Sequence, residues 1–178
     1  MSLKAINCSK DEIQLVLKTS AIKEENYRFF HLGNDKSIFV LVNDGEIVNV
    51  TTINIGIASI VSNYFKSSIP TESEVEYAIN DIEDDLMRNK ELMNSHVDLY
   101  SMDALLIEAL RIKPNKEATY TRVEIENLFT RYAHLSMGKS PVLDDLIVSR
   151  EIYAQLLITR EILHHLNYKK LIINASSI

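Results

Sequence analysis

The residues that could do chemistry are few and scattered. Ser9 and Glu12 stand at capping-box spacing, which satisfies the first N–H groups of a helix and also places a carboxylate at its entrance. Asp81, Asp84 and Asp85 fall on one helical face, where they either hold Mg²⁺ through water or form a solvated face. His164 and His165 are adjacent, so on a helix they point about 100° apart and do not share one metal ion. Their place at a helix end suits the negative end of the dipole or plain exposure. Cys8 is the single cysteine; it has no neighbouring histidine and forms no internal disulfide. Lys36, Lys139, Lys169 and Lys170 could gather at a phosphate, or be ordinary surface lysines. Ser149-Arg150-Glu151 reads as a surface salt-bridge segment.

Composition removes several classes of function. The chain has 178 residues, 46% of them apolar, so one globular domain is expected. Only four glycines occur, Gly33, Gly45, Gly56 and Gly138, and no two are close together. That excludes a P-loop and a G-x-G-x-x-G turn, which need clustered glycines to bring backbone N–H groups onto phosphate. The net charge of −6 argues against non-specific nucleic-acid binding, which draws on a surplus of Lys and Arg. No apolar run approaches the length of a bilayer, no signal-peptide core follows Met1, and no Cys/His set has zinc spacing. A cytoplasmic protein without membrane or nucleic-acid partners is the expectation.

The elements that must position these residues can be placed by periodicity. Ser9 to Ser20 reads as a helix with Ile13, Val16 and Leu17 on its apolar face. Three short strands follow at Tyr27–Leu32, Ser37–Val42 and Ile47–Ile53, the last two joined by an Asn43-Asp44-Gly45 turn. Gly56 to Phe65 is a short helix. Thr71 and Glu74 make a capping box for a long helix that buries Val75, Ala78, Ile79, Ile82 and Leu86. Val97–Tyr100 is a fourth strand and Ala104–Leu110 a helix. Thr121 and Glu124 cap another helix, and Asp144–Asn167 reads as the longest. Lys170–Asn174 closes the chain as a fifth strand. Three antiparallel strands followed by alternating helices and strands is the ribonuclease H-like order, also that of one half of an actin-like ATPase. The expected fold class is thus α/β, with a mixed five-stranded sheet.

The segment His31-Leu32-Gly33-Asn34-Asp35-Lys36-Ser37, with the hairpin and helix that follow it to Phe65, resembles a family pattern. It is similar to the Asp-Ile-Gly-Gly-Gly-Ser-Thr-Glu turn, hairpin and Leu-Gly-Ala helix of the exopolyphosphatase / guanosine pentaphosphate phosphohydrolase (Ppx/GppA) family. Asn54-Ile55-Gly56-Ile57-Ala58 stands where the Leu-Gly-Ala segment stands. Lys10 to Leu15 resembles the family's Gly-x-Glu-Glu-Ala-Arg-Leu helix start, Tyr120 to Ser136 its helix ending in Leu-Ser, and Ile152 to Ile173 its long helix and final strand. The resemblance covers nearly the whole chain. It implies that residues 1–178 are a single domain matching the family's second actin-like domain, with the first domain absent.

What the resemblance implies for chemistry is specific. The phosphate-gripping turn falls on Gly33, Asn34, Lys36 and Ser37, with His31 in place of the leading Asp and Asp35 adding negative charge. The second glycine-rich turn falls on Asp98 to Asp103, which contains no glycine; the family's Arg-Ala-Asp falls on Val148-Ser149-Arg150, and its final Ser-Asp on Asn174-Ala175. The chemistry-bearing motifs are degenerate. Asp11-Glu12 matches an acidic pair, so Glu12 is the catalytic candidate, as a general base orienting the attacking water, or else the cap behind Ser9. Two readings follow. One is a Ppx/GppA-like domain without phosphohydrolase activity by itself, serving as a binding or assembly module, with a homodimer as its partner state. The other is a fragment of an active exopolyphosphatase or (p)ppGpp phosphatase, with polyphosphate or a guanosine polyphosphate as substrate and Mg²⁺ as cofactor. A nucleotide-binding actin-like or sugar-kinase relative is a third, disfavoured by the same missing glycines.

Overall fold

The computed structural model describes residue 17 and residues 22–93, 96–140 and 145–175. The expected helix over Ser9 to Ser20, apart from Leu17, lies outside these, as does Glu12.

Strands β1 (Tyr27–Leu32), β2 (Ser37–Asn43) and β3 (Glu46–Ile53) form the antiparallel meander that the turn residues call for. Asp44 and Gly45 both take positive φ, 49° and 74°, as a two-residue hairpin turn of the favoured twist requires. A bulge at Leu41/Val42 shifts the register of the β2–β3 pair. Helix α1 (Ile57–Tyr64) and helix α2 (Glu72–Arg88) come next, then a single 3-10 turn at Lys90–Leu92. Strand β4 (Asp98–Ser101) lies parallel to β1. Helix α3 (Ala104–Ala109), strand β5 (Glu117–Thr121), helix α4 (Arg122–Ser136), helix α5 (Arg150–His165) and strand β6 (Lys170–Asn174) complete the order.

The sheet has six strands in the order β3-β2-β1-β4-β6-β5. Strands β1, β4 and β6 run parallel in its centre, and β5 adds an antiparallel edge to β6. This is the ribonuclease H-like, actin-like arrangement, with one strand more than the five expected. The added strand is Glu117–Thr121, whose polar residues alternate with the half-buried Ala118 and Tyr120 and whose ladder is made with β6, about fifty residues away.

Both faces of the sheet are apolar. Tyr27 and Phe29 of β1 join Ile38, Val40, Val42, Tyr100 and Ile172 on one face, with Leu17 and Ile22 against them. Phe30, Leu32, Phe39, Leu99, Leu171 and Ile173 face the helices. Helix α5 is the centre of that layer, with eleven buried residues, and it packs on α1, α2, α3 and α4. Its Tyr153 ring meets Phe65, Phe129 and Tyr132 edge-on, and its hydroxyl lies 2.9 Å from Ser136 Oγ. Within β1 a charged side chain interrupts the apolar pattern: Arg28 is buried, donating from Nη1 to the Leu92 carbonyl at 2.5 Å and to the Tyr168 hydroxyl at 2.8 Å.

Two of the three expected capping boxes lie among the described residues, and both form; that of Ser9 and Glu12 lies outside them. Thr71 N–H donates to Glu74 Oε2 at 2.8 Å, and Thr121 N–H to Glu124 Oε2 at 2.7 Å. Helix α5 corrects an expectation: it begins at Arg150, not Asp144. Ser149 Oγ accepts from Ile152 N–H at 3.0 Å, so Ser149 is the N-cap of α5, with a structural partner of its own.

Candidate functional site

In open α/β sheets, ligands gather at the carboxyl ends of the parallel strands. Here that edge holds the turn after β1, the segment after β4 and the first turns of α5. The turn at Gly33 to Ser37 is short, and Gly33 N–H donates to the Lys36 carbonyl at 2.9 Å. Its carbonyls face the start of α1. The Gly33 carbonyl accepts from Ile57 N–H at 2.9 Å, and the Asn34 carbonyl accepts from Ala58 and Ser59 N–H at 2.8 and 3.2 Å. The first three N–H groups of α1 are thereby capped by backbone from the hairpin.

That approach sets the residue at position 56. A Cβ there would lie 2.2 Å from the Asn34 carbonyl oxygen and 2.5 Å from the Asp35 carbonyl carbon, so only glycine fits. Ser37 is buried, and its hydroxyl donates to the Ile55 carbonyl at 2.5 Å. Asn34, Asp35 and Lys36 are exposed. Of the four residues expected to grip phosphate, Gly33, Asn34 and Ser37 come together as one backbone-bonded unit, and Lys36 points its charge from the turn's surface.

Next to this turn stands a pair that sequence reasoning missed. His31, near the end of β1, bonds through Nδ1 to Asp103 Oδ1, which follows β4. Asp103 is 4% exposed. Its other oxygen accepts from Leu32 N–H at 3.0 Å and from Gln155 Nε2 of α5 at 3.4 Å. Asp103 N–H in turn donates to Ser101 Oγ at 3.2 Å. Gln155 is fully buried, and its Oε1 finds no hydrogen-bond partner. The carboxylate bond at Nδ1 fixes the ring's orientation and aims Nε2 away from Asp103, which is how an imidazole is set up for proton transfer. The sequence gives one hint: Asp103 precedes α3 as an N-cap residue would, yet its side chain makes no cap bond and turns to β1 instead.

The acidic face of α2 and Lys170 do not join this site, and Glu12 and Cys8 lie outside the described residues. Asp85 accepts from Asn54 N–H at 3.1 Å, and Arg88 sits 3.7 Å from Asp84 and 3.8 Å from Asp85, so the acidic face of α2 is partly neutralised by its own helix. Lys170 Nζ lies 2.8 Å from Asp98 Oδ2 at the start of β4, the opposite edge of the sheet from Lys36. Mg²⁺ asks for several oxygen ligands in octahedral array. Among the described residues of the cleft the buried carboxylate is that of Asp103, and both its oxygens already accept from protein donors. This donor set does not suit Mg²⁺. No helix among the described residues is long and apolar enough to cross a membrane.

No protein-family model matches the sequence. No curated protein matches it either. Solved structures do. The Aquifex aeolicus Ppx/GppA phosphatase in its type II crystal variant is 17% identical, with a TM-score of 0.69 over 91% of this chain and 56% of that one. Another structure of the Aquifex aeolicus family member gives a TM-score of 0.71 at 17% identity, over 90% of this chain and 56% of that one. An exopolyphosphatase from Cytophaga hutchinsonii gives 0.66 at 11% identity, over 91% and 57%. The chain spans little more than half the length of these proteins. With the strand order above, the likeness establishes that this chain has the actin-like fold of the Ppx/GppA proteins, as a partial counterpart of them.

Proposed function

We infer that the chain is a Ppx/GppA-related domain with no phosphohydrolase activity by itself, acting as a binding or assembly module. The observation that carries this reading is the capping of α1 by the hairpin turn. A helix start with open N–H groups is a ready anion site. Here the Gly33 and Asn34 carbonyls occupy the N–H groups of Ile57, Ala58 and Ser59, and the Gly33 N–H and Ser37 hydroxyl are engaged as well. The His31–Asp103 pair adds a buried carboxylate at the same sheet edge, where a phosphate would meet like charge. For assembly, edge strand β3 offers Val48 and Val50, both exposed, and a second copy of the chain is the partner proposed for it.

The test is phosphate release from polyphosphate and from guanosine pentaphosphate by the full chain, with and without Mg²⁺. Rates at the buffer level are expected, and light scattering should give twice the chain mass. Release that is lost on Glu12→Gln overturns the reading.

The second reading, a fragment of an active exopolyphosphatase or (p)ppGpp phosphatase, has one observation in its favour. The imidazole of His31 is held by Asp103 as a general base would be. On that reading His31→Gln lowers phosphate release by roughly 100-fold or more, the usual scale for a positioned base.

A further inference from the structure

Towards the C-terminal end of α5, three ligand-type side chains converge between α2 and α5. Glu161 and His165 are one helical turn apart on α5, which puts them on one stripe, and Glu83 reaches them from α2. His165 Nε2 lies 3.0 Å from Glu83 Oε1 and 3.3 Å from Glu161 Oε2. One donor atom from each residue lies within 4.8 Å of the other two. The cluster is separate from the cleft, because ten residues of α5, about 15 Å of helix, part Gln155 from His165.

The hydrogen bonding in this cluster is incomplete. The Glu161 side chain is 0% exposed, yet its Oε2 has no hydrogen-bond partner. Its Oε1 is held by Arg160 Nη1. A ring nitrogen carries at most one hydrogen, and Glu83 Oε1 takes it in hydrogen-bond geometry. Glu161 Oε2 therefore approaches the same nitrogen with nothing between them to share. A dication resolves all of this at once: it accepts a lone pair from each of the three atoms and balances two carboxylates.

We propose that Glu83, Glu161 and His165 form a binding site for a transition-metal dication of the zinc type. Ligands at about 2.0–2.1 Å in a tetrahedron stand roughly 3.4 Å apart, close to the two distances from His165 Nε2. A nitrogen donor beside two carboxylates selects Zn²⁺ or its neighbours over Mg²⁺ and Ca²⁺, which prefer oxygen alone. Arg160 serves as the outer partner that fixes the Glu161 carboxylate. Glu83 is 37% exposed and His165 22%, so the ion enters from solvent and water completes its shell. The site ties α2 to α5.

The test uses the full chain, stripped with a chelator and titrated with Zn²⁺ alone. The expected result is one equivalent bound per chain, a raised Tm, and, with Co²⁺, visible absorption of four-coordinate intensity. His165→Ala should weaken binding by at least 100-fold, and Glu83→Gln, a partly exposed change that leaves the core intact, by about tenfold. His164→Ala and substitution of Mg²⁺ for Zn²⁺ are the controls: the first leaves Zn²⁺ affinity unchanged, and the second leaves Tm unchanged. If the wild-type chain takes up no stoichiometric Zn²⁺, the proposal is wrong. Binding that survives in Glu83→Gln and His165→Ala alike also overturns it. If His165→Ala does not fold, Glu83→Gln decides alone.

Discussion

Gly56 and Asn34 approach so closely that a single added carbon on Gly56 would sit 2.2 Å from the Asn34 carbonyl oxygen. The contact is backbone on backbone, and the same carbonyl caps two N–H groups of α1. Gly56→Ala must therefore push the hairpin turn off the helix. A loss of about 3 kcal/mol is expected, at the upper end for overpacking, read as a lower midpoint in urea denaturation at unchanged slope.

Asp103 is the keystone of the cleft. Truncation to Ala leaves the Leu32 N–H and the Gln155 amide without their acceptor, in a place water does not reach. Asp103→Ala should cost about 3 kcal/mol, as two buried donors lose their partner. Gln155→Leu is a useful contrast. It gives up one bond of 3.4 Å but also removes the orphan Gln155 Oε1, so a change within about 1 kcal/mol is expected in the same denaturation experiment.

The two capping boxes give an acid-side pH dependence. Backbone N–H donation from Thr71 holds the Glu74 carboxyl below its ordinary value of 4.5, and Thr121 does the same for Glu124. A depressed carboxyl binds fewer protons folded than unfolded, so its stabilisation is present above pH 4.5 and lost as pH falls through the lower folded value. Calorimetry from about pH 6 to about pH 3 should show Tm falling below the unfolded value, and the double substitution E74Q/E124Q should flatten that fall.

These boxes also show how much was legible in advance. Caps, the Asp44-Gly45 hairpin and the apolar stripes are local, within a few residues, and each stands where the periodicity puts it. Strand β5 was not legible, because a polar edge strand owes its existence to β6. The start of α5 was misplaced because Leu146, Ile147 and Val148 continue the apolar rhythm upstream of Ser149 as non-helical chain packed on the core. The cleft was partly legible: the turn at Gly33 was identified, but His31 and Asp103 are 72 residues apart and neither carries a motif alone. Glu83 and His165, 82 apart, are hidden for the same reason.

Burial pushes the Tyr168 phenol up to about 12, so it keeps its proton. It accepts from Arg28 and donates to the Leu92 carbonyl at 3.2 Å. Tyr168→Phe takes one of two partners from a buried guanidinium. A loss of about 2 kcal/mol is expected, the size of a hydrogen bond to a charged group, measured by urea denaturation at neutral pH.

Arg28 has a wider consequence for how the chain finds its shape. Apart from Arg28 and the half-buried His31, strand β1 is apolar, so Tyr27 to Leu32 has little else to distinguish its pairing with β2 from one a step out of line. Sliding by that step would swing a permanently charged side chain to the other side of the ribbon, far from the two oxygens that tolerate it. The cation thus serves as a proofreading mark: mispaired chains carry a penalty that the correct alignment alone escapes.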